Sequence, residues 1–185
     1  AWFCSAQDDR WNLSNMSGGM KVYWPLVRCP ANEWSSSEQL YQASKYGPNV
    51  ICLPASNPNA DPNVRNRIRA DKTPRGAKLT QKCAVKAGLV REDWDVQEIR
   101  IKAMLWVLEL KLYWNPFVLG NVIENTGEAP IVEISRKDAF WGCMVETSGE
   151  LKGANVLGKL LMNLRERMQA VRRGEFTNPE GFLIP

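Results

Sequence analysis

The 185-residue chain has no histidine, and that absence excludes more than any other feature of its composition. Without imidazole there is no Ser-His-Asp or Cys-His couple and no imidazole ligand for a metal. Acid–base chemistry must fall to Asp, Glu, Lys, Tyr or Cys. Cysteine is sparse as well: Cys4, Cys29, Cys52, Cys83 and Cys143 are odd in number, widely spaced and free of any C-x-x-C pair. Such spacing neither replaces the missing metal ligands nor makes a disulfide framework; it points to reduced thiols in a cytoplasmic protein. No stretch approaches the ~20 apolar residues of a membrane span, and no charged-then-apolar leader opens the chain, so no membrane partner is expected. There is no G-x-G-x-x-G behind a strand and no Walker loop, so a nicotinamide redox cofactor is not expected and the cofactor expectation is none.

What is present is ordinary in bulk and uneven in detail. Hydrophobic residues make up 44% and charged residues 24% of the chain, as in a globular domain, and the length suits one domain with a sizeable core. The net charge is +4, but residues 61–91 carry nine basic side chains against Asp61 and Asp71, a net +7, which leaves −3 for the rest. That concentration suits a phosphate-bearing ligand or a nucleic acid, or else is a solvated basic surface with no partner.

One stretch, Trp34 to Gly47, reads as a short helix with chemistry on it. Ser35 stands three residues before Glu38, the spacing of a capping box, and Gly47 is a C-terminal stop. Glu38, Tyr41, Gln42 and Lys45 recur at helical spacing and line one stripe, while Leu40 and Ala43 face a core. A stripe of carboxylate, phenol, amide and ammonium is either a solvated face or a site.

Along the rest of the chain, Trp2 to Cys4 and the run Val22–Val27 read as short strands. Residues 48–63, with four prolines and four asparagines, read as a loop or insertion. Helices are expected at about 64–70, at 74–87 behind the Thr73-Pro74 start, at 96–114 capped by Asp93 or Asp95, and at 155–173. The third has apolar residues on two sides (Val96, Ile99, Ala103, Val107, Leu110, Trp114; Ile101, Leu105, Leu108, Leu112) and should be the central core helix. Pro130–Ser135 reads as a strand with Glu133 inside it. The expectation is an α+β, helix-rich single domain with short β-strands over residues 1–173, followed by a tail at 174–185.

Several phrases together resemble the NADAR superfamily, the YbiA-like proteins. They are F-x-S-x-x-D-D-x-x-x-L-S-N (3–15), S-E-x-x-Y-Q-A-x-K-Y (37–46), Trp94, Asn115-Pro116, Thr126-Gly127, V-E-I-S-x-x-D-x-F-W-G (132–142) and G-x-N-x-L-G-K-L-L-M-x-x-R (153–165). The resemblance covers roughly residues 3–168, and it implies a NADAR/YbiA-like fold and cleavage of N-glycosidic bonds to ribose. Carried over by position, Glu38 is the catalytic carboxylate, Asp138 a second acid and Trp94 an aromatic touching substrate. Asn15, Lys45, Trp141, Gly142 and Asn155 occupy further motif positions lining the site, with Tyr41 on the same stripe. The pattern departs at Lys82, where the family commonly has arginine, and at Gln39, where histidine often follows S-E.

The chemistry suits these types. Breaking a ribosyl N-glycosidic bond builds positive charge on C1′ and the ring oxygen and negative charge on the departing base. Glycoside hydrolysis meets the same oxocarbenium problem with a pair of carboxylates, and here Glu38 handling water or proton and Asp138 holding the ribose hydroxyls or the cation fit that division. Lys45 either keeps Glu38 ionised or attacks an opened ribose as a Schiff-base nucleophile. Trp94 and Trp141 either stack on a flat heterocycle or are packing. Asp138 is otherwise a turn residue, and Asn155 otherwise the N-cap of the last helix. The expected activity is metal-independent hydrolysis of a ribosyl or ADP-ribosyl base. Its partners are an ADP-ribosylated or ribosylated nucleobase and, through the basic segment, single-stranded nucleic acid. Alternatives are an N-glycosidase of riboflavin-biosynthesis intermediates, a non-catalytic ADP-ribose or nucleotide-binding module, and a basic nucleic-acid-binding domain with a vestigial site.

Overall fold

A computed structural model describes residues 2–3, 9–26, 28–46 and 62–175. Expectations falling elsewhere, among them most of the 48–63 insertion, the Gly47 stop, Cys4, Cys52 and the tail beyond 175, lie outside the described residues. In chain order the elements are β1 (Trp2–Phe3), β2 (Val22–Tyr23), β3 (Glu33–Trp34), α1 (Ser37–Ala43), α2 (Pro62–Ala70), α3 (Pro74–Lys86), α4 (Gln97–Trp114), α5 (Asn121–Glu124), β4 (Val132–Glu133), β5 (Met144–Val145), β6 (Leu151–Lys152) and α6 (Val156–Arg172). Short 3-10 turns and one π-helical turn, Pro116–Gly120, join them. The fold is thus the expected helix-rich α+β with short strands, and it falls into two compact units, one of residues 15–114 and one of residues 1–14 with 115–185.

In the 15–114 unit, α4 supplies the core. Every residue from Trp106 to Leu112 is buried, because a helix apolar on two sides must be covered on both. Its N-terminal turn differs from expectation: Val96 is 51% exposed, and the Asp93 side chain is turned to Arg91. Lys111 and Glu109, whose charge gave no sign of it, are also inside. Around α4 pack α1 and the β2–β3 hairpin, whose register sets Val22 opposite Trp34. Edge-on aromatic pairs, Trp24 with Trp106 and Tyr23 with Trp114, seal that side at about 5 Å between ring centroids. Helices α2 and α3 close over α1. Thr73 starts α3 as expected, accepting a hydrogen bond from the Gly76 amide at 3.0 Å ahead of Pro74.

In the other unit, β1 and β4 pair in parallel, β5 and β6 form a hairpin, and α6 packs against β4 and α5. Leu157, Leu161 and Leu164 point inward as their spacing predicts, whereas Val171 is 38% exposed. The Arg165 guanidinium is buried and donates to Thr126 Oγ1 at 2.7 Å and to the Ala129 carbonyl at 2.8 Å, tying α6 to the turn after α5. Gly158 is required on α6 because a Cβ there would collide with the Ile131 carbonyl.

Candidate active site

The expected capping box is displaced by one residue, and the displacement releases the key carboxylate. Ser36, not Ser35, is the N-cap of α1: its Oγ accepts from the Gln39 amide at 3.3 Å. Gln39 sends its own side-chain amide to the Ile68 and Asp71 carbonyls at the end of α2. Glu38 therefore has no capping duty. Its Oε1 accepts from Gln42 Nε2 at 2.7 Å, one turn on, and lies 3.4 Å from Lys78 Nζ of α3. Only 4% of Glu38 is exposed, so the Gln42 contact acts away from bulk water, whereas Lys78 reaches the carboxylate from the solvent side of α3.

The stripe read from the sequence is real, but it faces the interior: every residue of α1 is buried. Lys45 follows on the 3-10 turn that continues the helix, 9% exposed. Its ammonium lies over two rings, 5.8 Å from the centroid of Tyr41 and 5.4 Å from that of Trp94, a cation–π box. Burial pushes the Lys45 ammonium down to about 8, and nearby Lys78 and Arg100 add to the lowering, while Glu38 pulls the other way. Trp94 is buried, tilted at 55° to Tyr41 with centroids 5.6 Å apart. It is held there because the Arg91 amide donates to the Lys45 carbonyl at 3.0 Å and the Trp94 amide donates to the Arg91 carbonyl at 3.2 Å. The Arg91 side chain, paired with Asp93, stiffens that turn and holds the Asp93 carboxyl below its usual range.

Asn15 joins the same cluster from the loop before β2. Its carbonyl accepts from the Glu38 amide at 3.3 Å, and its Oδ1 accepts from Ser37 Oγ at 2.9 Å. Its side-chain amide is turned to the Met104 thioether of α4. Asn15 thus fixes the start of the helix that carries Glu38. Of the sites expected in this unit, Lys82 alone stands apart from the cluster: it is exposed on α3, and the lysine of that helix that meets Glu38 is Lys78, one turn earlier. In the sequence Lys78 is only one more charge of the basic segment, and Arg100 and Met104 belong to no motif. Nothing local marks any of them, because each meets the site through a contact between helices.

The remaining candidates lie in the other unit. Asp138, half-buried, accepts at one oxygen from two backbone amides, Phe140 at 3.0 Å and Trp141 at 2.9 Å, while its own amide donates to Ser135 Oγ. That carboxylate shapes the loop bearing Trp141, which stands half-buried and edge-on to Phe140 at 4.9 Å. Gly142 is buried where a Cβ would fall 2.6 Å from the Glu133 carbonyl, so no side chain fits. Asn155 sits at the N-cap position of α6, but its side chain caps nothing. In the left-handed region, at φ 50°, it accepts from the Glu133 amide at 3.1 Å and donates to the Ile131 carbonyl at 2.9 Å, holding β4 against the helix. Among the described residues no group of three or more Cys, Asp or Glu is placed to hold a metal ion, and no helix is long and apolar enough to cross a membrane.

Residues 2–169 match the sequence profile of the NADAR domain. The chain is similar to a protein named as an N-glycosidase in Nostoc punctiforme, 29% identical over 136 residues, 74% of this chain and 75% of that one. It is 28% identical over 166 residues to the N-glycosidase YbiA of Escherichia coli, covering 90% of this chain and 86% of that protein. It is 30% identical over 137 residues to a riboflavin biosynthesis protein of Vibrio vulnificus, 74% of this chain but 31% of that longer one. The solution NMR structure of E. coli YbiA superposes with a TM-score of 0.70 at 25% identity, covering 97% of this chain and 90% of that one. The chain belongs to the NADAR domain family.

Proposed function

We propose that the chain is a hydrolase of the N-glycosidic bond between a ribose, as ADP-ribose or ribose phosphate, and a heterocyclic base. The observation that carries this reading is the buried cluster in which Glu38, held by Gln42 and Lys78, stands beside a lysine brought to about 8 and two aromatic rings. Glu38 takes a proton from water as the C1′–N bond breaks, and the base leaves with the bonding pair and is protonated. Trp94 stacks on the heterocycle, a contact worth about 1–3 kcal/mol per base. Lys45 holds the site positive beside Glu38, or its neutral amine attacks C1′ of the opened sugar, a route that a lysine near 8 makes accessible at ordinary pH. Six basic side chains of α2, α3 and the turn between them (Arg67, Lys72, Arg75, Lys78, Lys82, Lys86) are exposed, which favours ADP-ribosyl-guanine in nucleic acid or nucleotides as the substrate. The similarity to a riboflavin biosynthesis protein favours the alternative, a ribosylated pyrimidine intermediate.

The test is a panel of N-ribosylated heterocycles, with ADP-ribosylated single-stranded DNA at one end and a free uracil ribotide at the other. Wild type should release ADP-ribose or ribose 5-phosphate, and Glu38→Gln should lower the rate at least about a hundredfold, as loss of a general base does. Borohydride added during turnover should leave a sugar on Lys45 only if the amine attacks. Undiminished release by Glu38→Gln sinks the catalytic assignment; ligand binding without release by wild type leaves a binding module.

A further inference from the structure

Gln42 has a role that its hydrogen bond to Glu38 does not exhaust. The side chain is 4% exposed. Its Nε2 is committed to Glu38 Oε1 at 2.7 Å, which fixes the amide orientation, since the flipped amide would set carbonyl oxygen against carboxylate oxygen. The consequence falls on Oε1, which is buried and has no hydrogen-bond partner among the described residues. A buried amide oxygen without a donor is unfavourable by about 1–3 kcal/mol, and native structures seldom leave one without a bound water or ligand to donate to it. This one lies on the same amide as a donor to the carboxylate, so a molecule reaching Glu38 from that side meets two acceptors: a carboxylate and a neutral carbonyl. Lys78 and Gln42 already occupy Glu38 Oε1, which leaves Oε2 as the partner of that second acceptor.

We propose that Glu38 and Gln42 together hold the attacking water, with Gln42 as its positioning residue; this rests on the N-glycosidase reading above. Water has two O–H donors. One goes to Glu38, which takes that proton as the new O–C1′ bond forms and the C1′–N bond breaks. The other goes to Gln42 Oε1 and stays on the product hydroxyl. With both hydrogens spoken for, a lone pair of the water is aimed at C1′, which is the orientation the entropy of reaction rewards. An alcohol has one O–H and can satisfy only one of the two acceptors, leaving the other buried and unpaired.

The experiment is the partition between hydrolysis and methanolysis, read as ADP-ribose against its 1″-O-methyl derivative, with ADP-ribosylated guanosine as the probe in dilute methanol. Should only the uracil ribotide be turned over, ribose 5-phosphate and its methyl riboside are read instead. Wild type should favour water over methanol, mole for mole, by about tenfold more than the uncatalysed reaction does, the worth of one hydrogen bond. Gln42→Met, of similar length but without an acceptor, should lower kcat by roughly tenfold to a hundredfold with KM little changed, and should bring the methanol partition up about tenfold. A residue that merely props Glu38 would slow both products together, so a reduced rate with an unchanged partition overturns the proposal. If Gln42→Met does not fold, the wild-type partition decides alone: discrimination no better than the uncatalysed reaction overturns it. Failure of wild type to release any base is a different result, which removes the N-glycosidase reading and this inference with it.

Discussion

Lys45 should weaken the fold that contains it, and replacing it with methionine should show by how much. Methionine fills a similar volume and is apolar, so Lys45→Met removes the charge with little repacking. The lysine is 9% exposed, and burial, with Lys78 and Arg100 adding to it against the pull of Glu38, takes its ammonium from 10.5 to about 8. Each tenfold in a proton equilibrium is about 1.4 kcal/mol, so holding the charge at pH 7 disfavours the folded state by ~3 kcal/mol. The rings of Tyr41 and Trp94 beneath the ammonium return ~1 kcal/mol of that. Lys45→Met should therefore be more stable than wild type by about 2 kcal/mol at pH 7 while losing turnover.

The pH dependence separates this from ordinary repacking. Below about 8 both folded and unfolded chains keep the proton, and the full penalty is present. Between about 8 and 10.5 the folded protein releases it while the unfolded chain still binds it, so wild-type stability rises with pH through that interval. Tyr46 works in the opposite sense above pH 10, because burial pushes its phenol up to about 12 and the unfolded chain ionises first. The informative quantity is therefore the difference between the two proteins in urea denaturation at pH 7, 8, 9 and 10. It should start near 2 kcal/mol in favour of Lys45→Met and close as pH rises. A variant less stable than wild type at pH 7, or a difference that stays flat to pH 10, refutes the reasoning.

Two further pairs of substitutions test the local reading. Asp138→Asn keeps the acceptor that the Phe140 and Trp141 amides use, so its stability should stay within about 0.5 kcal/mol of wild type, whereas Asp138→Ala should lose about 1–2 kcal/mol. If the carboxylate is also needed for chemistry, both variants lose turnover alike; full activity in Asp138→Asn would leave Asp138 a turn residue only. Ser36→Ala should destabilise by about 1 kcal/mol as the N-cap of α1, while Ser35→Ala should fall within about 0.5 kcal/mol. Denaturation curves in the reverse order would restore the Ser35 cap.

What was legible in the sequence was what local forces decide. The start of α3 at Thr73-Pro74, the buried middle of α4 and the inward Leu157, Leu161 and Leu164 of α6 each follow from spacing and capping within one segment, and each stands where it was expected. The start of α1 was not decidable in that way. Ser35 with Glu38 and Ser36 with Gln39 both satisfy the same cap spacing, and the tie is broken by tertiary partners: Gln39 is drawn to the end of α2, and Glu38 to Gln42 and Lys78. Asn155 shows the same limit. Its position before a helix suggested a cap, but two backbone groups 22 and 24 residues away claim its side chain instead. The family phrases single out the acids and aromatics, yet the environment that tunes Lys45 comes from α3 and α4 and from burial, none of which a spacing records.

That tuning bears on the missing histidine. A general base or acid works best with an ionisation near the operating pH, and a chain without imidazole must move some other group into that range. Carboxylates start about three pH units below neutrality and lysine about three above. The structure moves the lysine, and it does so by desolvation, the one influence that lowers an ammonium without needing a second cation in contact. Desolvation is also what strengthens the Gln42 contact to Glu38, so the burial of α1 and of the turn that continues it acts on both side chains. On the proposed reading the cluster then offers a carboxylate and an amine of near-neutral ionisation side by side, the two roles that an imidazole commonly fills in turn. Opening α1 to water at a position that leaves every named contact intact should return Lys45 towards 10.5 and slow turnover at pH 7. On that reading, burial of the helix and the turn after it serves the chemistry as well as the fold.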